Sequence, residues 1–301
     1  MWTGSSNSTH RGSTGCTAAA SLARRSPASC ERCARNPSPS RARCSDASSA
    51  ERALGTPWDA RTYDRTSEPQ QSWAADVLAR LDGIAEDATV LDVGCGSGRV
   101  TEALLERVPR GRVLAMDASA EMVALARKRL GERAHVWCQD VLDLDLDAPV
   151  DVIFSTATLH WVRDHERLWA QLARALRAGG ALEVQCGGAG NIARVRKAIE
   201  AVVPDVAPEL AGWSPWEFAT PEETEARLRR AGFADGRYWL EERPTYPRDV
   251  DAFVRTSILA AHLELLPEAR RERFAAAVLE RVRLPIDYVR LNISAVRARP
   301  A

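Results

Sequence analysis

Three glycines at every second position follow an apolar run in the sequence VLDVGCGSG, at residues 90–98. Gly94 and Gly96 permit backbone dihedrals that other residues rarely adopt, and they let a ligand approach the main chain closely. Gly98 opens a segment whose apolar residues recur at helical spacing, so unpaired amides with partial positive charge lie at the start of a helix. We therefore predict a strand, a tight turn and a helix that together hold a ligand with a carboxylate or a phosphate.

The segments around this turn alternate between short apolar strands and amphipathic helices. Such alternation is typical of a parallel sheet covered on both faces, because helical crossovers join parallel strands. Ligands of these sheets bind at the carboxyl ends of the strands, where the strand order reverses. The first strands are predicted at 89–93, 112–117, 134–140, 150–157 and 181–186, and helices at 98–108, from Ser119 onward and at 167–176.

The beginning of the chain differs in composition from the rest. Up to about residue 50 it consists mainly of Ser, Arg, Ala, Thr and Pro, with almost no large aliphatic residue. Such a segment cannot bury enough apolar surface to offset the entropy of ordering, so we predict a disordered extension at 1–56 and a folded domain at 57–301. The extension fits a transit peptide or translated upstream sequence better than a secretory signal, since no apolar core follows its early charges.

Four of the seven cysteines lie in this extension, where Cys30 and Cys33 form a C-x-x-C pair. A zinc site would need a second pair at zinc-like spacing, which the sequence lacks. The five histidines form no recognisable ligand cluster either, so no metal is expected. Cys95, Cys138 and Cys186 lie apart among apolar residues, which is typical of reduced thiols in a cytoplasmic protein.

The chain carries 41 basic and 41 acidic side chains, and its formal net charge is zero. This balance argues against broad electrostatic attraction to nucleic acid or to an anionic membrane. No window approaches the roughly 18 to 20 apolar residues of a membrane-spanning helix. We therefore expect a small molecule as the partner, and the oligomeric state stays open.

Two classes of ligand fit a glycine-rich turn after the first strand. The nicotinamide fingerprint G-x-G-x-x-G is broken, because Arg99 stands where its third glycine would be. Asp92, Asp117 and Asp140 instead form a ladder of acids at the ends of successive strands. Acids at these positions suit a ligand that presents an ammonium group, a ribose diol and an exocyclic amine.

The sequence VLDVGCGSG resembles the first motif of the class I S-adenosylmethionine-dependent methyltransferases. Asp117 in VLAMDAS matches the acid that binds the ribose in that family, and Asp140 in CQDVLDL matches the acid on the adenine side. Segments at 150–162 and 175–185 are similar to two later motifs of the family. The sequences WDARTYDRTSEPQQSWAADVL, LHWVRDH and IDYVRLNISAVRA resemble the trans-aconitate methyltransferase group, so the resemblance covers residues 57–301.

This resemblance implies S-adenosylmethionine as the cofactor and a doubly wound, Rossmann-like α/β fold with a seven-stranded sheet whose last strand is antiparallel. The sequence agrees, since β-rich segments at 233–242 and 287–298 are separated by helical segments at 248–263 and 267–282. We expect the segments at 191–218 and 248–282 to form a helical cap that sets substrate specificity. The cofactor residues that the resemblance implies are Asp92, Gly94, Cys95, Gly96, Gly98, Asp117, Ala118, Met122, Asp140, Val141, Tyr63, Gln70 and Trp73.

His160 and Trp161 follow the fourth predicted strand, where the methyl group should emerge, and they are the candidate catalytic residues. His160 would serve as a general base or as a donor that orients the acceptor. Other aromatic residues are candidates for the lining of an acceptor pocket, namely Trp213, Trp216, Trp239 and Tyr246.

The predicted activity is methyl transfer to a small-molecule acceptor, with the oxygen of a carboxylate or of a hydroxyl favoured. The same fold also serves nucleic-acid and protein methyltransferases, as well as domains that bind the cofactor without turnover. A nucleic-acid acceptor is disfavoured, because the fourth strand is not followed by a base-flipping tetrapeptide of the Asn/Asp-Pro-Pro-Tyr/Phe type.

Overall fold

The computed structural model describes residues 68–299, with side chains described from Trp73 onward. The extension predicted at 1–56 lies outside the described residues, and so do Tyr63 and the side chain of Gln70. Within the described range, no helix is long and apolar enough to cross a membrane.

The described strands make up a single sheet. They are β1 (Thr89–Val93), β2 (Arg112–Asp117), β3 (His135–Cys138), β4 (Val150–Thr156), β5 (Leu176–Gly187), β6 (Phe233–Thr245) and β7 (Ile286–Arg297). Their order is β3-β2-β1-β4-β5-β7-β6. Strands β1 to β5 pair in parallel, whereas β7 runs antiparallel to β5 and to β6. The predicted seven-stranded sheet with an antiparallel last strand is confirmed.

Helices connect these strands. They are α1 (Glu68–Ala79), α2 (Arg99–Arg107), α3 (Ala120–Leu130), α4 (His165–Ala175), α5 (Ala193–Val206), α6 (Pro221–Arg230), α7 (Val250–Ser257), α8 (Ala260–Leu265) and α9 (Glu268–Leu279). Strand β1 lies between β2 and β4, so the order of the strands reverses beside it. This reversal places the glycine turn after β1 at the position where doubly wound sheets bind their ligands.

Two apolar layers cover the sheet. On one face, Val90 and Phe154 pack with Leu104 of α2. On the other face, Leu91 and Ile153 pack in the cluster that contains Trp169 of α4. Neighbouring residues of a strand are thus both buried, which explains why the strands read as continuous apolar runs rather than as alternating ones.

A separate apolar cluster joins α5, α7 and α9, the helices predicted to form a cap. Phe253 of α7 and Phe274 of α9 are fully buried in it. Trp73 of α1 and Tyr288 of β7 belong to the same cluster, so the cluster extends onto strand β7 of the sheet. That these helices cover a bound cofactor stays a prediction.

Three element boundaries differ from the predictions. Strand β5 begins at Leu176, before the predicted 181–186, because its pairing with β4 shifts across a bulge that contains Gly179. The helical segment predicted at 248–263 consists of α7 and α8, since the chain leaves the helical path at Ile258, whose side chain is buried in the cap cluster. Strand β3 ends at Cys138, because the Asp140 side chain caps a short 3-10 turn that starts at Val141.

A buried acid lies on the face of the sheet beside α1. Glu183 of β5 is buried, and its Oε1 accepts a hydrogen bond of 2.6 Å from Ser294 of β7. Burial raises the pKa of Glu183 to about 7, although the Ser294 hydrogen bond and the positive charge of Arg80 act in the opposite direction. The folded state therefore favours the protonated carboxyl group, and its stabilising effect is lost as the pH rises from about 4.5 through 7.

We expect Glu183→Gln to reduce the fall in the free energy of unfolding between pH 5 and pH 8, because glutamine does not ionise. For one proton the slope removed can approach about 1.4 kcal/mol per pH unit. Urea unfolding at several pH values measures this slope. Glu242→Gln, an exposed position on β6, is the matched control and should keep the wild-type slope. An unchanged slope in Glu183→Gln would contradict this assignment.

Candidate functional site

The turn after β1 is built on left-handed backbone. The φ angles of Gly94, Gly96 and Gly98 are 75°, 54° and 81°. Side chains rarely adopt this region, because a Cβ atom would crowd the following carbonyl oxygen. Gly98 is also the residue from which α2 begins. The alternating glycines are therefore required by the path of the chain, whatever ligand binds there.

Gly94 and Gly96 differ in what surrounds them. A Cβ atom on Gly94 would collide with the side chain of Thr158, which follows β4. A Cβ atom on Gly96 would meet no atom within 4 Å. Gly94 thus lets two loops pack together, whereas Gly96 borders open space beside the turn, where a ligand can reach the main chain.

Asp117 fixes this turn to the end of β2. Its Oδ2 accepts the N–H of Gly96 at 2.9 Å, and its Oδ1 accepts the N–H of Ser119 at 2.8 Å. Burial raises the pKa of Asp117, and the two backbone hydrogen bonds oppose that effect. Each carboxylate oxygen has a second lone pair, so the group can accept further hydrogen bonds from a ligand diol.

Asp92 belongs to β1 and lies two residues before Gly94. Its side chain is buried, and its Oδ2 accepts a hydrogen bond of 2.7 Å from the Thr101 hydroxyl of α2. Burial raises the pKa of Asp92 to about 7; the Thr101 hydrogen bond lowers it and the charge of Asp117 raises it further. Asp92 therefore links β1 to α2 and adds a second acid beside the turn.

The remaining predicted cofactor residues after β2 and β3 lie along the same edge of the sheet. Ala118 is exposed, whereas the Met122 side chain is buried in α3 and its N–H donates to Ser119 Oγ at 3.3 Å. Asp140 is exposed and accepts the N–H of Leu142 at 2.8 Å, and Val141 beside it is buried. Since β3, β2 and β1 are neighbours, the three acids lie at or just beyond the ends of adjacent strands.

Cys95 and Trp73 have packing roles that the sequence did not specify. The Cys95 side chain is buried, and its N–H and that of Gly94 both donate to the Met116 carbonyl, at 2.9 and 2.8 Å. Trp73 is buried against Tyr288, with ring centroids 5.1 Å apart. The guanidinium of Arg290 lies over the Trp73 ring at 4.7 Å. Whether Cys95, Trp73 and Gln70 contact the cofactor stays a prediction.

The loop after β4 packs directly on the glycine turn. Ala157 has a positive φ of 56°, a strained value for a residue with a side chain, and its N–H donates to Gln185 of β5 at 2.8 Å. The Thr158 hydroxyl donates to the carbonyl of Gly94 at 3.2 Å. Neither residue was predicted from the sequence. The one signal for their contact was Gly94, because the absence of a side chain there allows another loop to pack closely.

His160 is buried within this loop and stacks on Phe218, with ring centroids 5.7 Å apart. Burial, together with the positive charge of Arg290 and the neighbouring His165, holds the pKa of His160 well below its usual range. Its Nδ1 has no hydrogen-bond partner among residues 68–299. The imidazole is therefore neutral at pH 7, and its Nδ1 is buried.

Several predicted pocket residues gather around His160. Trp161 lies 5.4 Å from His160 and 5.8 Å from Trp216, measured between ring centroids. Trp216 stacks on Phe218, and Trp213 contacts His262 of α8. Trp239 and Tyr246 do not join this group: Trp239 lies between Arg80 and Arg237, and Tyr246 is 69% exposed.

The arrangement fits S-adenosylmethionine. Open space borders Gly96, acids lie at or just beyond the ends of three adjacent strands, and aromatic rings pack against His160 in the loop after β4. This sheet order and this site define a class I S-adenosylmethionine-dependent methyltransferase.

Comparisons with known proteins agree with this class. A methyltransferase domain family matches residues 90–180. The trans-aconitate 2-methyltransferase of Methylobacterium nodulans is 34% identical over 183 residues, which cover 61% of this chain and 67% of that protein. The enzyme of the same name from an Azoarcus species is 41% identical over 129 residues, which cover 42% of this chain and about half of that protein. The chain belongs to the S-adenosylmethionine-dependent methyltransferase family, in the group similar to trans-aconitate methyltransferases.

A solved structure supports the fold. Phosphoethanolamine N-methyltransferase 2 of Haemonchus contortus, in complex with S-adenosyl-L-methionine, matches with a TM-score of 0.54 and 16% identity. The match covers 80% of this chain and 57% of that one. At this identity the likeness concerns the architecture alone.

A methyl group added at Gly96 should block the cofactor, with a backbone strain of about 1 to 2 kcal/mol in the left-handed region. We expect Gly96→Ala to weaken S-adenosylmethionine binding at least about tenfold, because the new Cβ points into the open space beside the turn. Calorimetric titration measures this affinity. Gly83→Ala is the matched control, since Gly83 also has a positive φ and no atom within 4 Å of a Cβ, but precedes β1. Equal binding by both variants would place the cofactor elsewhere.

Proposed function

We propose that this protein transfers the methyl group of S-adenosylmethionine to a carboxylate oxygen of a small organic acid. The observation that carries the proposal is the burial of His160 against Phe218, in the loop after β4 that packs on the glycine turn. Its imidazole is neutral and a weak base, and a positive charge from Arg290 acts on it. Such surroundings suit an acceptor that is already an anion.

The chemistry requires little from the protein beyond alignment. The cofactor, when bound, supplies a methyl group that its sulfonium has already activated. A carboxylate is ionised at neutral pH, so no base has to remove a proton from it. The task of the chain is to hold donor and acceptor in line and to exclude water, and good alignment can supply roughly 7 to 11 kcal/mol of the barrier.

Donor and acceptor have separate holders in this proposal. Asp92, Asp117 and Asp140 bind the donor, together with the glycine turn. Thr158 joins the two sides, because it contacts Gly94 and lies two residues before His160. The ring of Phe218 and the imidazole of His160 form one wall of the acceptor site.

The relatives support an acid as acceptor and do not favour a nucleic acid or a protein. Their names point to trans-aconitate, a tricarboxylic acid, which is the first acid to test. We expect the purified protein to form S-adenosylhomocysteine and a methyl ester from trans-aconitate, as measured by mass spectrometry. The fully esterified acid, which has no free carboxylate, should give no product. Cofactor binding without an ester from any carboxylic acid would contradict the proposal.

The role of His160 can be separated from general-base catalysis. We expect His160→Phe, which keeps an aromatic ring beside Phe218, to lower the rate without changing the shape of the pH–rate profile between pH 6 and pH 9. The reason is that His160 is neutral throughout this range in the native protein. Removal of a general base would instead cost about 10²- to 10⁴-fold in rate. A loss of that size, with S-adenosylmethionine binding unchanged, would indicate proton transfer by His160.

A further inference from the structure

We propose that His165 and Arg227 are positioning residues that hold the loop after β4 in the place required for methyl transfer, and that acid pH releases this loop by protonating His165. This inference rests on the proposed function and deepens it, because it concerns the regulation of the same site. Both residues act through the loop rather than by contact with the acceptor.

The turn that contains His160 is held through its carbonyl groups. The carbonyl oxygen of Leu159 lies 3.2 Å from Nε2 of His165, the first residue of α4. The carbonyl oxygen of His160 accepts the N–H of Glu217 at 2.9 Å. Phe218 is the next residue, and its ring stacks on His160. These two contacts therefore fix the position of the His160–Phe218 pair.

Arg227 of α6 closes the two contacts into a ring. Its guanidinium lies 3.1 Å from Nδ1 of His165 and donates to Oε1 of Glu217 at 3.0 Å. Hydrogen bonds thus run from the Leu159 carbonyl through His165, Arg227 and Glu217 back to the His160 carbonyl. We call these three side chains the loop clamp. His165 is buried, so a hydrogen bond lost there would leave its partner without water in its place.

Only one protonation state of His165 completes the loop clamp. A carbonyl oxygen can only accept, so Nε2 of His165 carries the proton that it donates to Leu159. A guanidinium can only donate, so Nδ1 accepts from Arg227 and carries no proton. Protonation of Nδ1 would set an N–H and a positive charge against Arg227. The link between α4 and α6 would then be lost.

The charged groups around His165 are Arg227 of α6, Glu217 of the loop before α6 and Asp164, which caps α4. Burial lowers the pKa of His165; its backbone hydrogen bond raises it, Arg227 lowers it, and the two acids raise it. The result lies below the usual value, and the neighbouring His160 is neutral as well. The loop clamp is therefore complete at neutral pH and is lost as the pH falls through the pKa of His165.

The first test compares the pH dependence of kcat/KM for trans-aconitate in the wild type and in His165→Gln. The glutamine amide can donate to Leu159 and accept from Arg227, but it does not ionise. We expect the wild type to lose up to about tenfold per pH unit below the pKa of His165 and the variant to lose less. Asp92 and Glu183 also titrate near pH 7, but both proteins contain them, so the difference belongs to His165.

The second test breaks the loop clamp at neutral pH. We expect His165→Leu and Arg227→Met each to lower kcat/KM by about 10- to 100-fold, because a displaced loop misaligns donor and acceptor. The double variant should lose little more than either single one, since both remove the same link. Arg230→Met is the matched control on α6: it removes an exposed ion pair with Glu166 and should stay within about threefold of the wild type.

The position of the loop can also be measured without turnover. Trp161 follows His160 in the turn and packs on Trp216. In protein labelled with 5-fluorotryptophan, the ¹⁹F resonance of Trp161 can be assigned through Trp161→Phe. We expect this resonance to shift between pH 8 and pH 5 in the wild type and to shift less in His165→Gln. Equal shifts, or equal acid limbs of kcat/KM, in the two proteins would overturn the role of His165.

The two proposals fail in different ways. If the wild-type enzyme binds S-adenosylmethionine but methylates no carboxylic acid, the proposed function is wrong, and the ¹⁹F resonance of Trp161 alone decides whether His165 holds the loop. If the wild-type enzyme methylates trans-aconitate and the variants of His165 and Arg227 match it in kcat/KM at every pH, only the inference on the loop clamp is wrong.

Discussion

The site depends on the carboxylate of Asp117. One of its oxygens accepts an N–H from the glycine turn after β1, and the other accepts an N–H from the residue that caps α3. Two loops from neighbouring strands are thereby held in one geometry. The close approach of Thr158 to Gly94 adds the loop after β4 to the same unit. The glycine turn and the loop after β4 are therefore connected by a direct hydrogen bond. Under the proposed function, this connection would help to hold donor and acceptor in line.

Charge is distributed unevenly around this unit. Asp92, Asp117 and Asp140 lie at or just beyond the ends of β1, β2 and β3, on the side proposed to hold a cationic donor. Arg290 of β7 lies on the other side of β4, and its positive charge acts on His160. Under the proposed function, this division would orient both ligands before transfer and would leave proton transfer without a role.

The sequence predicted the elements whose residues carry their own signal. The parallel sheet followed from alternating apolar strands and helices, and the glycines were assigned to a turn because they permit dihedrals that other residues rarely adopt. Boundaries that depend on neighbours were predicted less well. The bulge at the start of β5 reflects its pairing with β4. The break between α7 and α8 reflects the burial of Ile258, and the apolar run around this residue is compatible with a continuous helix as well as with a broken one. Ala157 and Thr158 were not predicted as site residues, because nothing in the sequence around them indicates a contact with Gly94.

By itself, the sequence determined the fold class, the glycine turn and the acids at or just beyond the ends of β1 to β3, because each depends on residues close together in the chain. It also determined the family, through motifs of the same local kind. Only the tertiary structure decided what surrounds His160. Burial makes its imidazole neutral, and the charge of Arg290 reaches it across 130 positions of the sequence. The position of Arg196 beside Phe218 was also decided by the tertiary structure, because it arises from how α5 packs at the end of β5, which no pattern of neighbouring residues encodes.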